Sequence, residues 1–293
     1  MLTRQKVILA LLSGAGKPLT STAFVKLVFL LRHESTLKDC PSFYDFVPYK
    51  YGPFSFTLYR ELANLRRDGF VSSDQESVVL REDTAALARD KASELPVAIQ
   101  GEVNRVLRSH GQKSSATLLK DVYTQYPWYA AKSELADLRP SPPAPTANAT
   151  PAVRTAGYEG ESVDSFFNRL LRRGIQLIID VRANPISRRY GFSKSRLKEI
   201  GARLGFRYLH LPSLGIPRKW RADLTDFNSY QRLMSRYEQE MLPNLGKEVR
   251  EVGRTMKETP AVLVCLEKDV RCCHRGRLAL AVSRETGLEV DHL

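Results

Sequence analysis

The sequence predicts a two-part chain: a C-terminal parallel-sheet α/β domain preceded by a mainly α-helical, winged-helix-like N-terminal domain. Three observations predict this. After residue 151, nearly continuous apolar runs such as Ile175–Val181 and Ala261–Leu266 alternate with helical spacing, the pattern of parallel strands buried on both faces. Before residue 139 the apolar spacing is helical and leads to a helix, helix, hairpin order. Between them Pro140–Thr150 holds four prolines and no charge, so it can neither continue a helix nor pack a core. It reads as a semi-rigid linker dividing domains 1–139 and 151–293.

The elements follow in order. Arg4–Leu12 is apolar at helical spacing, Ser21–His33 is a second helix entered from Thr20, and Phe54–Asp68 is a third, with Phe54, Leu58, Leu62 and Leu65 on one face. Gly69 stops it, and Phe70-Val71 with Val78–Leu80 forms a hairpin. Helical stretches near 84–92, 96–109 and 114–124 complete the first domain. The second opens with strand Val153–Ala156 and helix Val163–Arg173, followed by strand Ile175–Val181 and helix Ser195–Leu204. Strand Tyr208–Leu211, helices within 227–242 and 244–256, strand Ala261–Leu266, helix Arg275–Thr286 and strand Leu288–Leu293 finish it. Strands separated by helices imply parallel pairing through right-handed crossovers.

Composition is that of a globular protein, with 43% hydrophobic and 26% charged residues, which argues against wholesale disorder. The formal charge is +13 and unevenly spread: residues 1–139 carry 19 basic and 15 acidic side chains, net +4, and residues 140–293 carry 26 and 17, net +9. Arginine dominates the second half, which points to a polyanionic partner, nucleic acid ahead of simple solubility and DNA ahead of RNA. Four cysteines, with Cys272 and Cys273 adjacent, make no disulfide framework and fit a reducing cytoplasm. Met1–Leu12 is too short and too amphipathic for a signal peptide, and no apolar run is long enough to cross a membrane. A cytoplasmic location is expected.

In an open parallel sheet, ligands bind outside the carboxyl ends of the strands. Polar residues of the second half fall there repeatedly: Gly157-Tyr158-Glu159-Gly160, Asp180-Val181-Arg182 running on to Ser187-Arg188-Arg189, Leu214–Pro217, and Cys265-Leu266-Glu267 with Cys273-His274-Arg275 opening the next helix. The segments Gly157–Gly160, Asp180–Lys194, Leu211–Pro217 and Cys265–Arg275 together resemble the domain of unknown function 488 family, and the resemblance spans nearly all of 153–293. The family's signature, Asp-Val-Arg after one strand and Cys-x-Glu then Cys-His-Arg around another, stands at Asp180–Arg182, Cys265, Glu267 and Cys273–Arg275. It implies an α/β fold with a site there and no settled reaction; Cys272 is an addition to the motif.

Read as chemistry, Asp180, Glu267 and His274 are the catalytic candidates. Two strand-end carboxylates can place a water or act as base and acid, and an imidazole moves protons near neutral pH. Tyr158, Glu159, Arg182, Arg188, Cys273 and Arg275 are the binding candidates: a helix start favours an anion, guanidinium forks hold phosphate or carboxylate, and a tyrosine ring stacks on a base. Each has a plainer alternative. Asp180 with Arg182 or Arg275 can be only a buried ion pair tying strand ends together, Cys265 reads as core, and His274 as a satisfied structural histidine. No cofactor is expected, and the His and Cys spacing offers no metal motif, although Asp180 and Glu267 could share a hydrated magnesium.

The N-terminal half has its own resemblance. Phe24–Leu31, Tyr49–Phe54 and Leu58-Tyr59 are similar to the antitoxin-type domain called Panacea and to related winged-helix modules of bacterial defence proteins, over roughly residues 5–80. Lys50, Arg60, Arg66 and Arg67 are candidates to face phosphates; partner recognition or homodimerisation are the alternatives for this half. The expected function is thus a nucleic-acid-directed, glycosylase-like hydrolase acting on a nucleotide or modified base, in an anti-phage defence setting. The alternatives are a non-enzymatic sensor or transcriptional regulator, and a toxin–antitoxin or defence component that binds a partner.

Overall fold

The computed structural model describes residues 1–73, 76–135, 150–221 and 224–293. It divides into two compact units, Met1–Pro145 and Thr146–Leu293. The expected linker, apart from Thr150, lies outside the described residues. No helix among the described residues is long and apolar enough to cross a membrane.

The first unit is built from helices α1 (Thr3–Ala15), α2 (Ser21–Glu34), α3 (Phe56–Arg67), α4 (Ala85–Ser93), α5 (Val97–His110) and α6 (Ser115–Gln125). Strands β1 (Leu19–Thr20), β4 (Val71–Ser73) and β5 (Ser77–Leu80) form a small antiparallel sheet in the order β1-β5-β4. Helix α2 is central: Thr20 caps it by accepting from Ala23 N at 3.1 Å, and every residue from Ala23 to Leu31 is buried. One expected boundary shifts. Phe54 does not begin α3 but ends β3 (Gly52–Phe54), which pairs antiparallel with β2 (Val47–Tyr49). Gly52 turns that hairpin at φ +90°, a conformation a side chain resists, and Ser55 accepts from Leu58 N to start the helix two residues later than its apolar spacing suggests.

The second unit holds a five-stranded parallel sheet in the order β10-β6-β9-β7-β8, from β6 (Val153–Gly157), β7 (Leu177–Asp180), β8 (Arg207–His210), β9 (Ala261–Cys265) and β10 (Val290–His292). The mixed α/β class with a parallel C-terminal sheet is therefore as the sequence predicts. Helices α7 (Val163–Arg172), α8 (Lys194–Arg203), α9 (Phe227–Arg236), α10 (Gly246–Glu258) and α11 (His274–Thr286) connect the strands. Ile179, Leu263 and Cys265 share one apolar cluster with Val252 and Met256 of α10 and Leu278 and Val282 of α11. Alternation along the strands then turns Ile178, Asp180, Val262 and Val264 to the opposite face. This two-faced geometry decides which polar residues can meet.

Candidate functional site

Asp180 ends β7 on the face away from α10 and α11, and it is fully buried. Its carboxylate accepts from Arg182 Nε at 2.8 Å and Nη2 at 2.5 Å, and from the Tyr208 hydroxyl at 2.6 Å. The third guanidinium nitrogen of Arg182, Nη1, donates to the Tyr158 hydroxyl (2.7 Å) and to Phe192 O (2.8 Å). The Tyr158 ring lies flat on Phe192, 4.1 Å away and 7° from parallel. Burial first, and then the Asp180 carboxylate, push the Tyr208 phenol well above its usual range. The four side chains form a closed network joining the ends of β6 and β7 to β8. Asp180 and Arg182 thus match the ion-pair alternative, and Tyr158 presents its ring to Phe192 rather than to a base.

Glu267 is placed otherwise. It follows β9 on the side of Cys265, whose Sγ lies 3.2 Å from Glu267 Oε2, while Glu267 Oε1 accepts from Arg221 Nη1 at 3.1 Å. The expected Asp180–Glu267 carboxylate pair is therefore not assembled, because the two side chains leave the sheet on opposite faces and take different partners; a magnesium shared between them loses its basis for the same reason. His274, the first residue of α11, is completely buried. Its Nε2 lies 3.0 Å from Val181 O, which can only accept, so Nε2 carries the proton and Nδ1 turns to Cys265 Sγ at 3.8 Å. Tyr237 packs its ring edge against the imidazole at 5.4 Å.

Cys273 stands beside them as the residue that precedes α11. The ligand atoms of Cys265, Cys273 and His274 all lie within 4.8 Å of one another. The hydrogen bond from Cys273 and the neighbouring imidazole hold the Cys265 thiol well below the usual thiol range, whereas burial pushes Cys273 well above it. Burial, and then Cys265, raise Glu267. Burial opposes a charge on His274 most strongly, but Cys265 and the Val181 carbonyl together outweigh it and the imidazole is raised.

The remaining candidates serve the loop that carries Glu267. Arg275 is buried and donates to Glu267 O and to Lys268 O (3.0 Å), and Glu159 accepts from Lys268 N at 3.0 Å. Leu266 O accepts from the backbone of Tyr158 and Glu159 at 3.1 and 2.9 Å. Gly157, paired with Cys265, permits this approach: a Cβ there would stand 2.0 Å from Glu267 O. Arg275 is thus a clamp on backbone carbonyls, and Glu159 a brace. Arg188 is exposed on the loop after β7, beside Arg189.

Arg221 was not among the sequence candidates. The signal that could have found it is the basic run Arg218-Lys219-Trp220-Arg221, which follows the β8 end and its Gly215–Pro217 turn onto the same rim.

Residues 162–282 match the family described as domain of unknown function DUF488. The match runs from α7 into α11, takes in β7, β8 and β9 with both polar clusters except Tyr158, and stops short of β6 and of the first unit. No curated protein matches the chain.

Proposed function

We propose that the C-terminal unit binds a nucleotide or modified base of a nucleic acid and hydrolyses it at an N-glycosidic or related bond, with Glu267 directing the water. The observation that carries this is the setting of Glu267: one carboxylate oxygen is held by Arg221 while the other faces the buried Cys265, at the carboxyl end of the central strand. Around it, the loops after β7, β8 and β9 carry exposed Arg188, Arg189, Arg218, Lys219 and Lys268, a rim suited to phosphates. In the reaction, the water oxygen bonds to the sugar carbon as the bond to the base nitrogen breaks; one water proton passes to Glu267, the departing base nitrogen takes a proton from solvent, and Glu267 returns its own to solvent. His274, completely buried with Nε2 on Val181 O and Nδ1 toward Cys265, is given no proton transfer to substrate in this reading.

For the N-terminal unit we propose docking on DNA. Its helix–strand–helix–hairpin–helix–hairpin order, with β1 added to the β4–β5 hairpin, supports a winged-helix reading, and Arg66 and Arg67 are exposed on α3. Lys50 is paired with Glu134 at 3.0 Å and contributes less.

The test offers purified full-length protein a panel of modified and unmodified single strands and duplexes, and follows released base by mass spectrometry. The proposal expects release by the wild type and a loss of roughly 10²–10⁴-fold in Glu267→Gln, with binding retained. Binding by the wild type without any release contradicts hydrolysis and leaves the second reading, a sensor, which the near-complete burial of His274 and Cys265 favours.

A further inference from the structure

We propose that Cys265, Cys273 and His274 form a binding site for a thiophilic divalent cation, zinc being the best fit, with Glu267 Oε2 in reach of the fourth position. The assignment does not depend on hydrolysis, or on which ligand the rim binds.

Geometry comes first. A tetrahedral zinc with bonds of about 2.3 Å to sulfur and about 2.0–2.2 Å to nitrogen or oxygen sets its donor atoms roughly 3.5–3.8 Å apart. Here Cys265 Sγ is 3.8 Å from His274 Nδ1 and 3.2 Å from Glu267 Oε2, and the three Cys and His ligand atoms span no more than 4.8 Å. A shift of up to about one ångström, within reach of side-chain rotation, would close them on an ion. Three donor groups from two places in the chain, the end of β9 and the start of α11, converge on one point, and Glu267 Oε2 approaches Cys265 Sγ from the loop between them.

Orientation comes second. Histidines that bind metal usually donate their other ring N–H to a carbonyl or carboxylate, which fixes the tautomer and aims the lone pair. His274 does this through Nε2 to Val181 O, and its free Nδ1 faces the sulfur. Glu267 is divided in the same sense: Arg221 holds Oε1, and Oε2 turns to the cluster. A purely structural role for the thiols would need neither arrangement.

Energetics comes third. Two thiols, an imidazole and a carboxylate are 9% exposed or less, and burying such groups without full pairing is unfavourable. A divalent cation matches two thiolates, and Arg221 matches the carboxylate. Soft sulfur with imidazole selects zinc over magnesium or calcium, whose sites are built from oxygen. Cys272, which the cluster leaves out, supplies an internal control.

The experiment measures metal content of the reduced full-length chain by plasma mass spectrometry, and then the visible spectrum after removal of metal and titration with Co²⁺. The proposal expects about one zinc per chain, and a cobalt form with thiolate charge-transfer and tetrahedral ligand-field bands. Cys265→Ser and Cys273→Ser lose both, and Cys272→Ser keeps both. Should either serine variant fail to fold, the wild-type cobalt spectrum decides alone: six-coordinate, sulfur-free bands overturn the site. A reduced, folded wild type that takes up neither metal overturns it too, as does a Cys265–Cys273 disulfide in place of bound metal. Because the readout is metal content, a negative release assay leaves this result standing, and a positive one does not substitute for it.

Discussion

The ends of β7 and β9 lie side by side in one sheet and carry the same kinds of residues, a carboxylate near an arginine, yet they are built to opposite ends. At β7, Asp180 is matched by two Arg182 nitrogens and the Tyr208 hydroxyl, and Arg182 in turn by Tyr158 and Phe192 O. At β9, Glu267 has one arginine, a thiol at 3.2 Å, and beyond it a second thiol and an imidazole. A closed network of this kind spends its polar groups on one another and fixes the strand ends. The β9 cluster retains donor atoms aimed at a common point. Residue type alone does not separate scaffold from site; the face of the sheet does.

The largest effect expected of the β7 network is on stability. Asp180→Ala leaves Arg182 buried and unpaired, and should cost about 3–5 kcal/mol. Urea unfolding of the full chain, with hydrogen exchange read at β7 to β9, checks this; a loss under about 1 kcal/mol would mean the network is not the scaffold described. Next comes Gly157→Ala, whose methyl would meet the Glu267 carbonyl. It should cost about 1–3 kcal/mol by overpacking and move the 266–268 loop, visible as shifted amide resonances there. Unchanged resonances would sever the link between Gly157 and the site.

A buried charge in the first unit sharpens the comparison from another side. Lys26 donates to the uncharged carbonyls of Tyr51 and Pro53, at 2.6 and 3.4 Å, and burial pulls its pKa down to about 7. The unfolded lysine titrates near its ordinary value of 10.5, so between about 7 and 10.5 the unfolded chain holds more protons. Stability of this unit should therefore rise with pH through that window, by at most about 1.4 kcal/mol per pH unit from this group, and the burial penalty is fully present below it. Lys26→Met should flatten the slope in unfolding curves taken across the window. An unaltered slope would assign it to other groups.

Much of this was legible in the sequence. Continuous apolar runs at Ile175–Val181 and Ala261–Leu266 announced parallel strands because only burial on both faces tolerates them. Phe54 was misplaced because its apolar spacing fits α3, while Gly52 and Ser55 set the backbone locally. The rim was legible since it follows from strand ends, but the pairing across it was not. Asp180 and Glu267 look equivalent until alternation is counted through the register that pairs Asp180 with Val264. Cys265 read as core because its strand is apolar; that Cys273 and His274 return to it depends on α11 starting directly over the end of β9, a tertiary fact with no local signature.

The central claim, that β9 carries the function and β7 the frame, is tested most directly by one paired measurement: substrate turnover and unfolding free energy for Glu267→Gln and Tyr208→Phe. The account predicts that Glu267→Gln loses roughly 10²–10⁴-fold in turnover while its stability changes by less than about 1 kcal/mol. Tyr208→Phe should lose about 1–3 kcal/mol with turnover nearly intact in the protein that remains folded. Turnover lost in Tyr208→Phe and kept in Glu267→Gln would contradict the account.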